Sequence, residues 1–326
     1  MSSASPTQST ERTQVEPLLV VDDFLPQELA AAMRADIDAH FATPYNQRPQ
    51  THQVWNFWYV VGLYTYLRTQ PEKVIARASM ERFASLLREW SIRTLGLATI
   101  GSPFLSFYTS GCRQSLHNDS RNGRFAFVYS LTRNERRTIG GQTIVFRGGD
   151  PFLRNLRHSN AGEGLYQLVE PRFNRLVVFD DRMVHGVQLI EGSMDPLEGR
   201  FVLHGHIEES PPIVQGALPA EEVSRAVRHA LERFYQECYP IALDYHGPLV
   251  LRFAIAPEGR IVRLRVVLDR VFCEREGNDG WERVRGQLIE LLRGVTFPAT
   301  PAETGVTLPL LLGGPVRVPR ANPPAP

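Results

Sequence analysis

The sequence predicts an α+β protein: helices first, then a run of short strands closing as a β-sandwich or barrel, then a small α+β unit of its own. Three observations predict it. Near the N-terminus, apolar residues recur at helical spacing. From about Pro103 the texture changes to short β-branched and aromatic runs separated by Gly, Asn and charged turns. Pro211 and Pro212 then break the chain before a second series of helix, strand, strand and helix.

Residues 1–15 are rich in Ser, Thr and Gln and lack an apolar h-region, so they read as a disordered tail and not a secretion signal. Leu18 to Val21 is a β-leaning run. Pro26 then sits where a first-turn proline is tolerated, and Leu29, Met33, Ile37 and Phe41 recur every four residues, an amphipathic helix from Glu28 to Phe41. Residues 43–53 read as loop. An aromatic stretch follows, with Trp55, Phe57, Trp58, Tyr59, Tyr64 and Tyr66, and then a second helix from Ser79 to Leu95. Strands are expected at Phe104–Tyr108, Phe125–Leu131, Thr143–Phe146, Leu165–Val169, Arg175–Phe179 and Phe201–Ile207.

Beyond the two prolines, a helix spans about Glu221 to Glu237. Strands Pro248–Ala256 and Ile261–Leu268 are joined by the hairpin signal Pro257-Glu258-Gly259. Ile261, Arg263 and Arg265 alternate with Val262, Leu264 and Val266, as a half-buried strand requires. A helix from Trp281 to Arg293 and a closing strand, Val306 to Leu312, complete the unit. The expected organisation is a tail at 1–15, a first domain at 16–210, a second at 215–316 and a Pro-rich tail at 317–326.

Composition narrows the function classes. Of 326 residues, 43% are hydrophobic and 22% charged, enough to bury a sizeable core. A net charge of +1, with no basic block or acidic tail, gives no sign of nucleic acid or a membrane surface as partner. No run of 18 apolar residues occurs. Cys112, Cys238 and Cys273 are widely spaced and form no CxxC pair, which argues against structural zinc and a disulfide framework. A cytoplasmic protein with reduced thiols is the expectation.

The chemical core is Leu116-His117-Asn118-Asp119. On extended backbone, residues i and i+2 share a face, so one imidazole and one carboxylate present together to a single ion. Val184-His185-Gly186-Val187 follows an apolar strand and offers a second imidazole. Two imidazoles and a carboxylate make the facial triad of non-haem Fe(II), which leaves three coordination positions open for a co-substrate and O2. Arg200, in Gly199-Arg200-Phe201, opens the next strand, and its planar fork matches a carboxylate bidentately. Each residue alone has a plainer reading: His117 as a strand-end histidine, His185 as a core histidine, Arg200 as a solvated strand charge. Their order and context together favour the metal site.

At this point the sequence resembles the prolyl-4-hydroxylase-like branch of the 2-oxoglutarate/Fe(II) oxygenases over residues 18–209. The residues that carry the resemblance are Phe107-Tyr108-Thr109-Ser110-Gly111, Ser115 to Asp119, Arg124 with Val128 to Leu131, Gly140-Gly141-Gln142-Thr143, Val184 to Val187 and Gly199 to Phe201. The resemblance implies a double-stranded β-helix (jelly roll) with supporting N-terminal helices. It implies His117, Asp119 and His185 as iron ligands, Arg200 on the distal carboxylate of 2-oxoglutarate, and Tyr108 hydrogen-bonded to the same group. The His185–Arg200 interval is longer than the family's, through Ser193 to Glu198, but the Gly-Arg-Phe context favours Arg200 over Arg182. His204 and His206 share strand parity with Arg200 and are expected beside the ligands, not among them. Halogenases of the superfamily replace the carboxylate by a small residue. This chain keeps Asp119, so the implied reaction is C–H hydroxylation by a dioxygenase, with release of succinate and CO2.

Residues 226–312 resemble the C-terminal module of TonB-like and AgmX/PglI-type proteins. That likeness rests on Glu237 to Leu243, Gly247 to Ile261 and Val295 to Pro298, and implies an interaction module, with a protein partner possible. The substrate stays open among an amino acid, a peptide and a specialised small molecule. Trp55, Phe57, Trp58 and Tyr59 either line the pocket mouth or pack on the jelly roll. Arg113, Arg121 and Arg124 either meet an anionic substrate or are surface charges. Two other readings compete: an iron- and 2-oxoglutarate-binding sensor or scaffold, and an iron dioxygenase that does not use 2-oxoglutarate.

Overall fold

A computed structural model describes residues 18–42, 54–119, 125–146, 166–238, 244–273 and 280–313. The expected tails at 1–15 and 317–326, the loop 43–53, Arg121, Arg124, Leu165 and the stretch 239–243 lie outside those residues. The chain forms two compact units. One holds the described residues up to 89 together with 99–208, and the other holds 90–98 together with those from 209 onward.

In chain order, the elements up to residue 208 are β1 (Leu18–Val21), α1 (Gln27–Phe41), β2 (Asn56–Val60), β3 (Tyr64–Thr69), α2 (Arg77–Thr94), β4 (Thr99–Ile100), β5 (Phe104–Tyr108), β6 (Arg113–His117), β7 (Phe125–Ser130), β8 (Thr138–Ile139), β9 (Thr143–Phe146), β10 (Tyr166–Val169), β11 (Leu176–Asp180), β12 (His185–Val187), β13 (Glu191–Gly192) and β14 (Arg200–Glu208). Eight of these strands decide the fold. They run in the orders β11-β7-β14-β5 and β6-β12-β9-β10, and β3 bridges β5 to β6. Numbered along the chain, that is sixth-third-eighth-first and second-seventh-fourth-fifth, the order two successive Greek keys produce in a jelly roll. All these pairings are antiparallel.

Local sequence explains the supporting elements. Ala30, Met33, Arg34 and Ile37 turn inward on α1 at three- and four-residue spacing. Each fully buried aliphatic side chain stabilises the fold by about 1.5–3 kcal/mol. Arg34 joins that face because its guanidinium donates to the Leu131 carbonyl at 2.9 Å and the Leu197 carbonyl at 3.0 Å. Strand β5 is buried on both faces. Phe107 stacks on Phe201 at 4.7 Å and meets Phe41 and Trp55 on one side, while Phe104 and Tyr108 face a cavity on the other. This is why its sequence, Phe-Leu-Ser-Phe-Tyr, has large apolar residues on both faces and shows no regular alternation.

Strands β5 and β9 fall where the sequence places them, and β11 starts at Leu176, one residue later than expected. Arg175 leaves the strand to pair with Asp22, at 2.5 and 2.8 Å. The aromatic stretch is a two-stranded hairpin, β2 with β3, that no expected strand covered. His185 does not follow a strand but begins one, the short β12.

The second unit contains β15 (Ile213–Gln215), α3 (Ala220–Cys238), β16 (Tyr245–Ile255), β17 (Ile261–Asp269), β18 (Phe272–Cys273), α4 (Trp281–Arg293) and β19 (Thr304–Leu312). Its sheet runs β15-β19-β16-β17, with β18 also on β16. Val223, Val227, Leu231 and Phe234 of α3 and Val284, Leu288 and Leu292 of α4 share one core with Leu249, Leu251 and Phe253 of β16. Cys112 and Cys238 are free and buried. No helix among the described residues is long and apolar enough to cross a membrane.

Candidate metal centre

Register brings the two histidines together. His117, the last residue of β6, lies directly opposite His185, the first of β12, and their rings are 4.4 Å apart. The V-H-G-V sequence follows from this proximity. A Cβ at Gly186 would come within 2.8 Å of the Gln114 carbonyl oxygen, so the strands meet this closely only without a side chain there. Asp119, two residues beyond His117, is tied to the turn before His185 by its backbone N–H, which donates to the Asp181 carbonyl at 2.9 Å.

The side chains then converge. His185 Nε2 is 3.4 Å from Asp119 Oδ2, and His117 Nε2 is 3.8 Å from Asp119 Oδ1. One ligand atom from each of the three residues lies within 4.8 Å of the others. Donors bound at roughly 2.1 Å and at right angles are about 3 Å apart, so a small inward shift would seat an ion. Both imidazoles are oriented alike: His117 Nδ1 is 2.8 Å from the Ser115 carbonyl and His185 Nδ1 is 3.0 Å from the Met183 carbonyl. A carbonyl only accepts, so each Nδ1 carries the hydrogen and each Nε2 presents its lone pair to the cluster. Burial, and then the neighbouring His185, lower the His117 pKa, which keeps that lone pair free at neutral pH. Burial works to raise Asp119, but with the rings protonated, hydrogen bonds from His185 and His206 and the charge of His185 and His117 outweigh it and hold the carboxyl well below the usual carboxylate range. Two neutral imidazoles and one carboxylate are the donor set that suits non-haem Fe(II).

The cluster lines a cavity of about 460 Å³, a size that suits small ligands. Arg200 lies in its wall, 1% exposed, opposite Tyr108 in register. Its Nη2 donates to Thr143 Oγ1 at 3.1 Å, and its Cζ lies 4.8 Å from the centre of the Tyr108 ring. Its Nε and Nη1 are buried and meet no hydrogen-bond partner among the described residues. A buried cation with two unused donors is costly, and a carboxylate in the cavity would satisfy both. Burial pushes the Tyr108 phenol up, so the ring is neutral and able to donate. Arg182, the alternative cation, is committed to Asp180 on its own turn at 2.5 and 2.8 Å.

His204 and His206 also face the cavity, as their parity with Arg200 requires. His206 Nε2 is 3.4 Å from Asp119 Oδ2, and His204 Nε2 is 2.8 Å from Ser106 Oγ. Burial, then Arg68 and Arg200, push the His204 pKa down to about 3, so it stays neutral. The aromatic stretch divides by parity. Trp58 lines the cavity, Phe57 and Tyr59 are 62% and 60% exposed on the opposite face, and Trp55 packs on Phe41 and Phe107.

The sequence reading missed Tyr64, Tyr66 and Arg68, which line the cavity from β3. Tyr64-Thr65-Tyr66-Leu67-Arg68-Thr69 carries the signal, since its large rings and cation fall on alternate positions. Arg113 is exposed and does not line the cavity.

No family model matches the chain, and no curated protein matches it. Solved structures similar to it include a Pseudomonas putida prolyl-4-hydroxylase, 16% identical over 60% of this chain and 94% of that one, with a TM-score of 0.43. A Trichoplax adhaerens prolyl hydroxylase, solved with a peptide from the hypoxia inducible factor oxygen degradation domain, is 15% identical over 58% of this chain and 82% of that one, TM-score 0.41. A non-haem α-ketoglutarate-dependent epimerase of nogalamycin biosynthesis is 14% identical over 58% of this chain and 77% of that one, TM-score 0.41. At such identities and scores, a likeness says nothing of reaction or substrate.

Proposed function

We propose that the chain is a non-haem Fe(II), 2-oxoglutarate-dependent dioxygenase that hydroxylates a C–H bond of an amino-acid, peptidyl or small-molecule substrate, releasing succinate and CO2. The observation that carries the reading is the pairing, in one cavity, of a His–Asp–His cluster with a buried guanidinium that has two donors unspent. The first fits a divalent cation and the second fits a carboxylate. A co-substrate with a metal-binding end and a distal carboxylate needs both.

In this reading His117, Asp119 and His185 hold the iron. Arg200 takes the distal carboxylate of 2-oxoglutarate, and Tyr108 donates to the same group. Bound iron supplies the activation of O2 and the oxidising power that breaks the C–H bond. The protein's own residues fix the imidazole tautomers through the Ser115 and Met183 carbonyls and keep Asp119 ionised. Residues 215–316 enter the proposal as an interaction module for a protein partner, on the sequence resemblance given above.

The test is an anaerobic titration with Fe(II) and 2-oxoglutarate, followed by the weak visible charge-transfer band the two give together. A band that needs both ligands in the wild type and is absent in His185→Ala is the expected result. Iron binding without a band would reject 2-oxoglutarate as co-substrate. The chain would then be a different iron dioxygenase or a non-catalytic sensor or scaffold.

A further inference from the structure

The cavity holds a second cation that the cluster and its co-substrate leave unused. Arg68 projects from β3, with Trp58 of β2 on one flank and Phe104 of β5 on the other. Its Cζ is 3.3 Å from the centre of the Trp58 ring and 4.1 Å from that of Phe104. All three residues line the same cavity as His117, Asp119 and His185. Among the described residues no carboxylate pairs with Arg68, and Asp119 is the one carboxylate in the cavity wall.

Distance separates this cation from Arg200. Arg68 stands opposite Ser106 and Arg200 opposite Tyr108, on the two neighbours of β5, so their backbones are two residues apart along the strand, about 7 Å, and two strand spacings apart across it, about 10 Å. In the dioxygenase reading a five-carbon dicarboxylate anchored at Arg200 has its other end on the His–Asp–His cluster, which leaves Arg68 outside the co-substrate's contacts. Ring faces on two sides of a guanidinium hold it by cation–π attraction and block approach from above and below. Its plane meets the Tyr66 phenol on one part, and the N–H donors that remain match a carboxylate. Arg68 is half-buried, so such a bond forms at the edge of the cavity in a partly dry setting.

We propose that Arg68 is a specificity-determining residue that binds a carboxylate of the primary substrate, so that the oxidised molecule is a carboxylic acid: a small acid or a peptide with a free C-terminus. Trp58 and Phe104 hold the guanidinium edge-on to the cavity. This deepens the dioxygenase reading and rests on it for the identity of the reaction, but not for the anion preference itself.

The experiment uses the full chain, metal-free and again under anaerobic Fe(II) and saturating 2-oxoglutarate. N-acetyl amino acids are titrated as free acids and as primary amides, and tetrapeptides with free or amidated C-termini, all followed by tryptophan fluorescence. In the wild type, acids bind roughly tenfold or more tighter than their amides. In Arg68→Gln that ratio collapses towards one, while Arg68→Lys, which keeps the charge but not the fork, retains part of it. The 2-oxoglutarate midpoint of the visible band is the same in Arg68→Gln as in the wild type. Which arm shows the contrast separates a small acid from a peptide terminus. No acid binding better than its amide, or a preference intact in Arg68→Gln, overturns the proposal. A 2-oxoglutarate midpoint that moves with Arg68→Gln also overturns it, because Arg68 would then serve the co-substrate. Absence of the visible band together with an Arg68-dependent acid preference would reject the dioxygenase reading and keep this one.

Discussion

Arg200 is placed where a charge is least comfortable: 1% exposed, with one hydrogen bond to Thr143 and two donor nitrogens, Nε and Nη1, unsatisfied. Burial lowers its pKa, the sign expected when desolvation opposes the charged form. Arg200→Met should therefore leave the ligand-free protein as stable as the wild type, or more stable by about 1–4 kcal/mol, while abolishing the visible band with Fe(II) and 2-oxoglutarate. Thermal melts and the same anaerobic titration read the two effects. A marked fall in melting temperature would show Arg200 to be structural. At this scale much of the site was legible. His117, Asp119, His185 and Arg200 belong to residue types with few chemistries, and their order along the chain is informative. Arg68 was missed, because its shared parity with Tyr64 and Tyr66 becomes a signal only once the segment is known to be a strand and the side it buries is known.

That face is decided by pairing between distant segments. Strand β3 lies between β5 and β6, some forty residues later in the chain, and this turns Tyr64, Tyr66 and Arg68 inward and Thr65 and Leu67 away. Helices α1, α3 and α4 were readable because their periodicity is local. The hairpin β2–β3 was hidden because both its faces carry aromatic side chains, which blurs the alternation that marks a strand. The cluster depends on pairing in the same way. Strand β6 is bulged against β12 between the His117–His185 and Gln114–Val187 pairs, and Gly186 lies against the bulge. In Gly186→Ala the new methyl meets a backbone carbonyl, which has nowhere to turn. The strands should part by a few tenths of an ångström or more, carrying His185 away from His117. The expected outcome is a Kd for Fe(II), or Mn(II) as an air-stable probe, weakened about 10–100-fold, with the far-ultraviolet dichroism of a folded β protein retained. Unchanged metal affinity would mean that the β6–β12 spacing does not set the cluster.

At the scale of the whole chain, the boundary near Pro211 describes a break in sequence texture, whereas the compact units are not continuous in sequence. Residues 90–98, early in the chain, belong to the unit that otherwise begins at residue 209. The Ile92 carbonyl accepts a hydrogen bond from Arg252 Nη2 at 3.1 Å, and the Ala98 N–H donates to Ser210 Oγ at 3.1 Å. Gly96 approaches Val250 and Thr307 so closely that a Cβ would come within 2.5 Å of Val250 and 3.0 Å of Thr307. Leu95 and Leu97 are 0% and 1% exposed. A chain that stops after Glu208 keeps this segment and removes its partners. Uncovering two leucines costs about 3–6 kcal/mol, a large share of the roughly 5–15 kcal/mol that holds a domain folded. Although every cavity residue is still present, the shortened chain should melt on the order of 10 °C below the full-length protein or accumulate as aggregate, as scanning calorimetry would show. Melting within about 2 °C of full length would mean that residues 90–98 need no cover from the C-terminal unit and that the jelly roll stands alone. The expectation is that the residues from 209 onward are needed for the first half of the chain to persist.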